Sequence, residues 1–212
     1  MAPFLFGLSY IRCMKKQLIF ILMALLCFTA CRQKPSENME NGSAALNVKD
    51  TIEGDAVKTV AGFLHWYREN MQQLNRINMV KNSDRAGDTS VFYSVDFQAT
   101  EKYLKELEKG GFLSADYLNA QRKYFMDCED YFKKNPENDG PPHGFDYDLI
   151  MLSQEYDEAL AHLEKAQMSL TKAGATGALV RSDFGNGYSL TYTLNNKNGK
   201  WLIDQMENTS GR

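Results

Sequence analysis

Residues 178–207 read Ala178-Leu-Val-Arg-Ser-Asp-Phe-Gly-Asn-Gly-Tyr-Ser-Leu-Thr-Tyr-Thr-Leu-Asn-Asn-Lys-Asn-Gly-Lys-Trp-Leu-Ile-Asp-Gln-Met-Glu207. Tyr188, Leu190, Tyr192 and Leu194 alternate with Ser189, Thr191 and Thr193, the period of a strand with one face inward. Gly185-Asn186-Gly187 on one side and Asn198-Gly199 on the other are tight-hairpin sequences, because a two-residue hairpin loop needs backbone that Asn and Gly adopt cheaply. The stretch therefore predicts strands over 178–184, 188–194 and 200–207, with a further strand over 168–171. Together they make an antiparallel meander that closes the chain.

Upstream, the period changes from strand to helix. Over 54–74, Val57, Val60, Ala61, Leu64, Tyr67, Met71 and Leu74 fall on one helical face, and Phe63 and Trp66 widen it, so a helix buried on more than one side is expected. Order is expected from near Asp50. Residues 89–97 alternate, with Val91, Tyr93, Val95 and Phe97 on one side, and predict a strand. Thr100 is placed to cap a short helix running to Leu107 and stopping at Gly110-Gly111; Ser114 opens the next, to about Phe132. Residues 135–144 form an irregular loop by composition, and a last helix is read over 155–165.

Helices first, then a meander ending in Gly199-Lys-Trp-Leu-Ile-Asp-Gln-Met206, resembles the nuclear-transport-factor-like (cystatin-like) α+β fold over roughly residues 52–207. Phe63-Leu-His-Trp-Tyr67, Gly111-Phe-Leu-Ser-x-x-Tyr117 and Gly144-Phe-Asp-Tyr-Asp148 also resemble a group of uncharacterised bacterial (Bacteroidetes-type) lipoproteins with that fold. The resemblance implies N-terminal helices packed on a curved antiparallel sheet, cone-shaped around a cavity. Relatives of that fold bind small apolar molecules, perform acid–base chemistry or dimerise through the sheet, so fold alone does not choose among them. Candidate cavity-lining residues are Trp66, Tyr67, Tyr93, Phe97, Tyr188, Tyr192 and Trp201. The plainer reading of the same stripes is ordinary core and sheet-surface packing.

An acid–base enzyme of this fold would need a carboxylate or a His–Asp pair perturbed by burial. Candidate buried polar residues are His65, Asp96 and Asp204, with Asp183 a further acid on a strand. His143 lies in the proline-containing loop and His162 on a polar helix face. Counted as a calcium loop from Asp146, position five is Ile150 and the glycine position is Met151, so an EF-hand fails and helix capping explains Asp146 and Asp148 more simply. No zinc spacing, nucleophile triad or phosphate loop occurs, and neither a cofactor nor a catalytic residue is assigned.

The amino-terminal region supplies an address. Lys15 and Lys16 precede an uncharged run over 18–30, and Thr29-Ala30 stand directly before Cys31. A basic start, an apolar stretch too short to span a bilayer and a small-residue site is a secretory signal. The cysteine after the small pair resembles the lipobox of bacterial lipoproteins, with Phe28 where that pattern prefers Leu. The resemblance implies a signal peptide over 1–30 (translation starting at Met1 or Met14), lipidation of Cys31 by diacylglycerol and palmitate-type acyl chains, a flexible linker to 50 and a single α+β domain over 51–208. The linker would reach about 25 Å. Arg32, Gln33 and Lys34 do not resemble the acidic surface-export signal of such lipoproteins, which favours the outer membrane facing the periplasm.

Three of the 24 basic residues (Arg12, Lys15, Lys16) fall in the signal, leaving 21 against 27 acidic groups, a net charge of −6. That argues against a nucleic-acid partner, which wants clustered positive charge. Of four cysteines, Cys13 and Cys27 leave with the signal and Cys31 takes lipid, so Cys128 has no disulfide partner and reads as a core thiol. The expected partners are the membrane, through the anchor, and a small apolar ligand, a protein or a second copy of the chain, engaged through the sheet and its cavity.

Overall fold

The computed structural model describes residues 42–82, 91–174 and 176–211. The architecture is α+β, helices followed by a four-stranded antiparallel sheet. Cys31, with the signal and most of the expected linker, lies outside the described residues.

Helix α1 spans Gly42–Leu74, beginning eight residues before the expected start near Asp50. Val60, Phe63, Leu64, Tyr67 and Leu74 of the expected stripe are buried along it, together with Ala56, while Val57, Ala61, Trp66 and Met71 are half-buried. Two short strands, β1 (Val80–Lys81) and β2 (Ser94–Val95), pair antiparallel. Of the strand expected over 89–97 only Ser94–Val95 forms among the described residues, with 91–93 irregular and Phe97 in a helix. Asp96 accepts from the amides of Gln98 and Ala99 and caps helix α2, Phe97–Lys109. A carboxylate satisfying two first-turn amides outweighs the alternation, so Phe97 opens a helix. Thr100, expected as the cap, lies inside α2, its hydroxyl on the Phe97 carbonyl. Residues 83–90 lie outside the described residues.

Helix α3, Ala115–Lys134, is capped by Ser114 Oγ as expected and buries Tyr117, Leu118, Phe125, Cys128 and Phe132. Lys133 and Lys134 in its last turn oppose the negative end of the helix dipole. The helix read over 155–165 is a short α4, Tyr156–Ala161, then a 3-10 turn at Leu163–Lys165, with His162 at the break.

Strands β3 (Gln167–Ala173), β4 (Gly177–Gly185), β5 (Tyr188–Lys197) and β6 (Lys200–Asn208) pair in chain order. Gly185 faces Tyr188 and Lys197 faces Lys200, so the loops are Asn186-Gly187 and Asn198-Gly199. All four loop residues have positive φ, 54 to 83°, the backbone of a type I′ hairpin. Val180, Leu190, Tyr192, Leu194 and Ile203 are essentially inaccessible. The opposite face carries Arg181, Thr191, Thr193 and Gln205, half-buried or exposed. Helix α1 lies against β3, β4 and β6, while α3 reaches β2 and β6. Phe112 and Ser114 bond the Ile203 backbone, tying the α2–α3 connection to the sheet. Among the described residues no helix is long and apolar enough to cross a membrane.

Candidate functional site

None of the seven residues proposed from sequence to line a cavity borders the groove described below. Tyr67, Tyr192 and Trp201 are core residues. Trp66 is half-buried, stacked on Phe63 with ring centroids 6.4 Å apart and seated over Gly110, where a Cβ would come within 2.9 Å of the indole. Tyr93 donates to the Gly140 carbonyl at 2.8 Å and packs edge-on against Phe132. Tyr188 stacks on Phe184 and donates to the Met151 carbonyl. Phe97 is 45% exposed, because it belongs to a helix rather than to a strand. The hydroxyls of Tyr192 and Ser182, both fully buried on the inner sheet face, lie beside each other without a hydrogen bond of good geometry.

Nor do the three candidate polar residues meet. His65 accepts from the Arg68 guanidinium at 3.1 Å, and Arg68 in turn pairs with Glu164 at 2.6 Å. Asp96 is spent on the α2 cap. Asp204 sits where the β5–β6 register shifts, with Thr193 opposite Gln205 and Leu194 opposite Ile203, and its Oδ1 is buried without a partner. Asp183 accepts from the Gly185 amide in the hairpin. Cys128 is a buried thiol, as read, and burial pushes its pKa up. Among the described residues no three His, Cys, Asp or Glu side chains are grouped as a metal ion would need.

The buried carboxylate of the described domain is instead Asp148. Aromatic packing places it: Phe145 stacks on Phe125 at 5.9 Å, His143 on Tyr131 at 3.7 Å, and Tyr124 donates to the Gly144 carbonyl at 2.7 Å. Gly144 has φ +78°, and a Cβ there would lie 2.7 Å from Cys128 Sγ and 2.8 Å from the Tyr124 hydroxyl. Only glycine satisfies both the left-handed backbone and the close approach. The chain then turns inward, burying Leu149, Ile150 and Met151.

Asp148 is 8% exposed. Its Oδ1 accepts from the amides of Ile150 at 3.0 Å and Met151 at 2.7 Å, and its Oδ2 from the Tyr67 hydroxyl at 2.5 Å. It therefore caps its own turn rather than the helix at Tyr156. Leu152 closes that turn at φ +52°, a conformation costing an L-residue about 1–2 kcal/mol. It is held by its amide on the Asp148 carbonyl at 2.7 Å and by Asn208, which donates to the Leu152 carbonyl at 3.0 Å. Burial raises the Asp148 pKa above the ordinary carboxylate value, against the lowering effect of the Tyr67 and amide hydrogen bonds. Burial, then the neighbouring carboxylate, likewise raises the Tyr67 phenol.

Beside this carboxylate the surface opens into a groove of about 650 Å³ between the end of α1 and the 142–149 loop. Leu74, Ile77, Met79 and Val80 form one wall; Pro142, Phe145 and Tyr147 form the other; Tyr103, Asp148 and Tyr156 also line it. Sequence reasoning missed the site because Asp148 reads as a helix cap and its partner comes from α1. The signal that was available is the clustering of Phe145, Tyr147 and Leu149 around two aspartates in a stretch otherwise composed as a loop. Comparison of the chain with known protein families, curated proteins and solved structures finds no match.

Proposed function

We propose that this chain is an exported, lipid-anchored binding domain of the bacterial envelope, non-enzymatic, taking a small ligand with an apolar body in the groove beside Asp148. The fold is read as nuclear-transport-factor-like, supported by the order of helices then meander and by the Gly199–Ile203 strand. Cys31 is read as the lipid site and the outer membrane, periplasmic side, as the location, supported by the residues around 14–34. The observation that carries the binding reading is the groove: the inner sheet face is filled by its own side chains, whereas the 142–149 loop leaves an opening lined by apolar and aromatic side chains, by Asn75, Asn78, Asp146 and Gln154, and by the buried Asp148, a mix of apolar surface and a few polar groups that ligand sites share. For a dimer through the sheet, the outer face would supply apolar contact; it carries Leu179 and Leu202 among Arg181, Thr191, Thr193 and Gln205.

The test is a thermal-shift screen of the full chain against small apolar compounds, repeated on Met79→Trp, which fills the groove. Binding there raises the melting temperature of the parent protein, and Met79→Trp loses that rise. A screen without any shift removes the reading.

One observation favours a second reading, an acid–base enzyme of isomerase or dehydratase type. Asp148, a buried carboxylate held by the Tyr67 hydroxyl at 2.5 Å with its pKa raised by burial, is the kind of group that serves as a general acid or base. In that case Asp148→Asn abolishes turnover of a substrate that the parent protein converts.

A further inference from the structure

We infer that the occupant of this groove is a small organic cation, an ammonium head set against Asp148 with its apolar body along Leu74, Ile77 and Met79. The inference rests on the groove being a ligand site and goes beyond it by fixing the ligand's charge.

Three observations carry it. The first is the balance of charge: Asp146 and Asp148 line the groove, and no Lys, Arg or His does among the described residues. The second is the condition of Asp148 itself. A buried carboxylate is ordinarily matched by a cation, because a dry surrounding leaves its charge uncompensated. Asp148 receives only neutral donors, the Tyr67 hydroxyl and two amides, and the charge that acts on it is that of Asp157, another acid. An ionised carboxylate offers about four lone-pair positions; three are taken, so one remains for a ligand N–H. The third is the aromatic lining. Tyr103, Phe145, Tyr147 and Tyr156 border the same space, and ring faces attract cations through their quadrupole. An anion would meet those faces and both carboxylates unfavourably. A neutral apolar molecule would leave Asp148 no better matched than before.

The probes are three ring compounds of similar size: benzylammonium, benzyl alcohol and benzoate. The full chain carries [13C-methyl]methionine, with the Met79 signal assigned by its loss in Met79→Leu. Expected is a saturable shift of the Met79 signal with benzylammonium, at about ten-fold higher affinity than with benzyl alcohol (~1.4 kcal/mol), and weakest binding for benzoate. Asp148→Asn removes most of the preference for ammonium over alcohol, leaving only the part that Asp146 supplies. Asp146→Asn, at an exposed side chain, narrows the preference without touching the buried turn, so the charge argument is still tested if Asp148→Asn does not fold. Equal affinity for ammonium and alcohol in the parent protein, or a preference for benzoate, overturns the inference and leaves the groove as a site. No Met79 shift with any of the three overturns the groove reading and the inference together.

Discussion

Tyr67 and Asp148 stand 81 residues apart in the chain and 2.5 Å apart at their oxygens. Truncating the phenol leaves Asp148 Oδ2 without its donor in a buried setting. Tyr67→Phe is therefore expected to cost about 1–3 kcal/mol of stability, the penalty of an orphaned buried acceptor, read as a shift in urea midpoint at unchanged slope. The pH dependence has a definite sign. Because burial raises the Asp148 pKa in the folded state, the folded protein binds the proton more tightly than the unfolded chain does. This group's contribution to stability is then fully present below the ordinary carboxylate pKa and is lost as pH rises through the folded value. Melts of the parent and of Asp148→Asn, taken from the ordinary carboxylate pKa up to neutrality, should show the parent's relative stability falling with pH; parallel profiles would contradict the assignment. Tyr67 is legible in sequence as an apolar-face residue of a helix, and Asp148 as a polar residue in a loop. Their meeting depends on Gly144 and the Phe125–Phe145 stack folding the loop back, which no local pattern encodes.

The elements most legible in the sequence are those whose signals are local. Asn-Gly turns set both hairpins, and β4, β5 and β6 follow within three residues of the expected limits. Ser114 opens α3 where it was expected. The strand over 89–97 ends at Val95 because alternation competes with capping there, and Asp96 with three helix-forming turns behind it wins. That competition can be measured. Asp96→Ala removes the acceptor for two first-turn amides and should cost about 1 kcal/mol, whereas Asp96→Asn or Asp96→Ser should recover most of it. If Asp96→Ala leaves the melting temperature unchanged, the amides are satisfied some other way. The start of α1 at Gly42 also escaped, because 42–50 mixes Asn47, Lys49 and Asp50 with small residues and shows no clean stripe.

At the scale of the whole molecule, the proposed lipid site stands eleven residues before the first residue of α1 in the sequence. If Cys31 carries the lipid, the first residue of α1 can lie at most about 40 Å from it, the span of a fully extended chain of that length. Cys31→Ser should abolish labelling by radioactive palmitate and move the protein to the soluble fraction; unchanged labelling removes the anchor. The two hairpins, at opposite ends of β5, share a chemistry of their own. Both hairpin tips are exposed Asn-Gly pairs, where the glycine nitrogen can attack the asparagine carboxamide, expel ammonia and close a succinimide. Water reopens that ring mostly to isoaspartate, which adds a methylene to the main chain in the middle of a two-residue turn. At Asn198 the attacking nitrogen is already engaged, since the Gly199 amide donates to Asn196 Oδ1 at 2.9 Å. Of the two hairpins, the one joining β4 to β5 is therefore the faster to age, at Asn186.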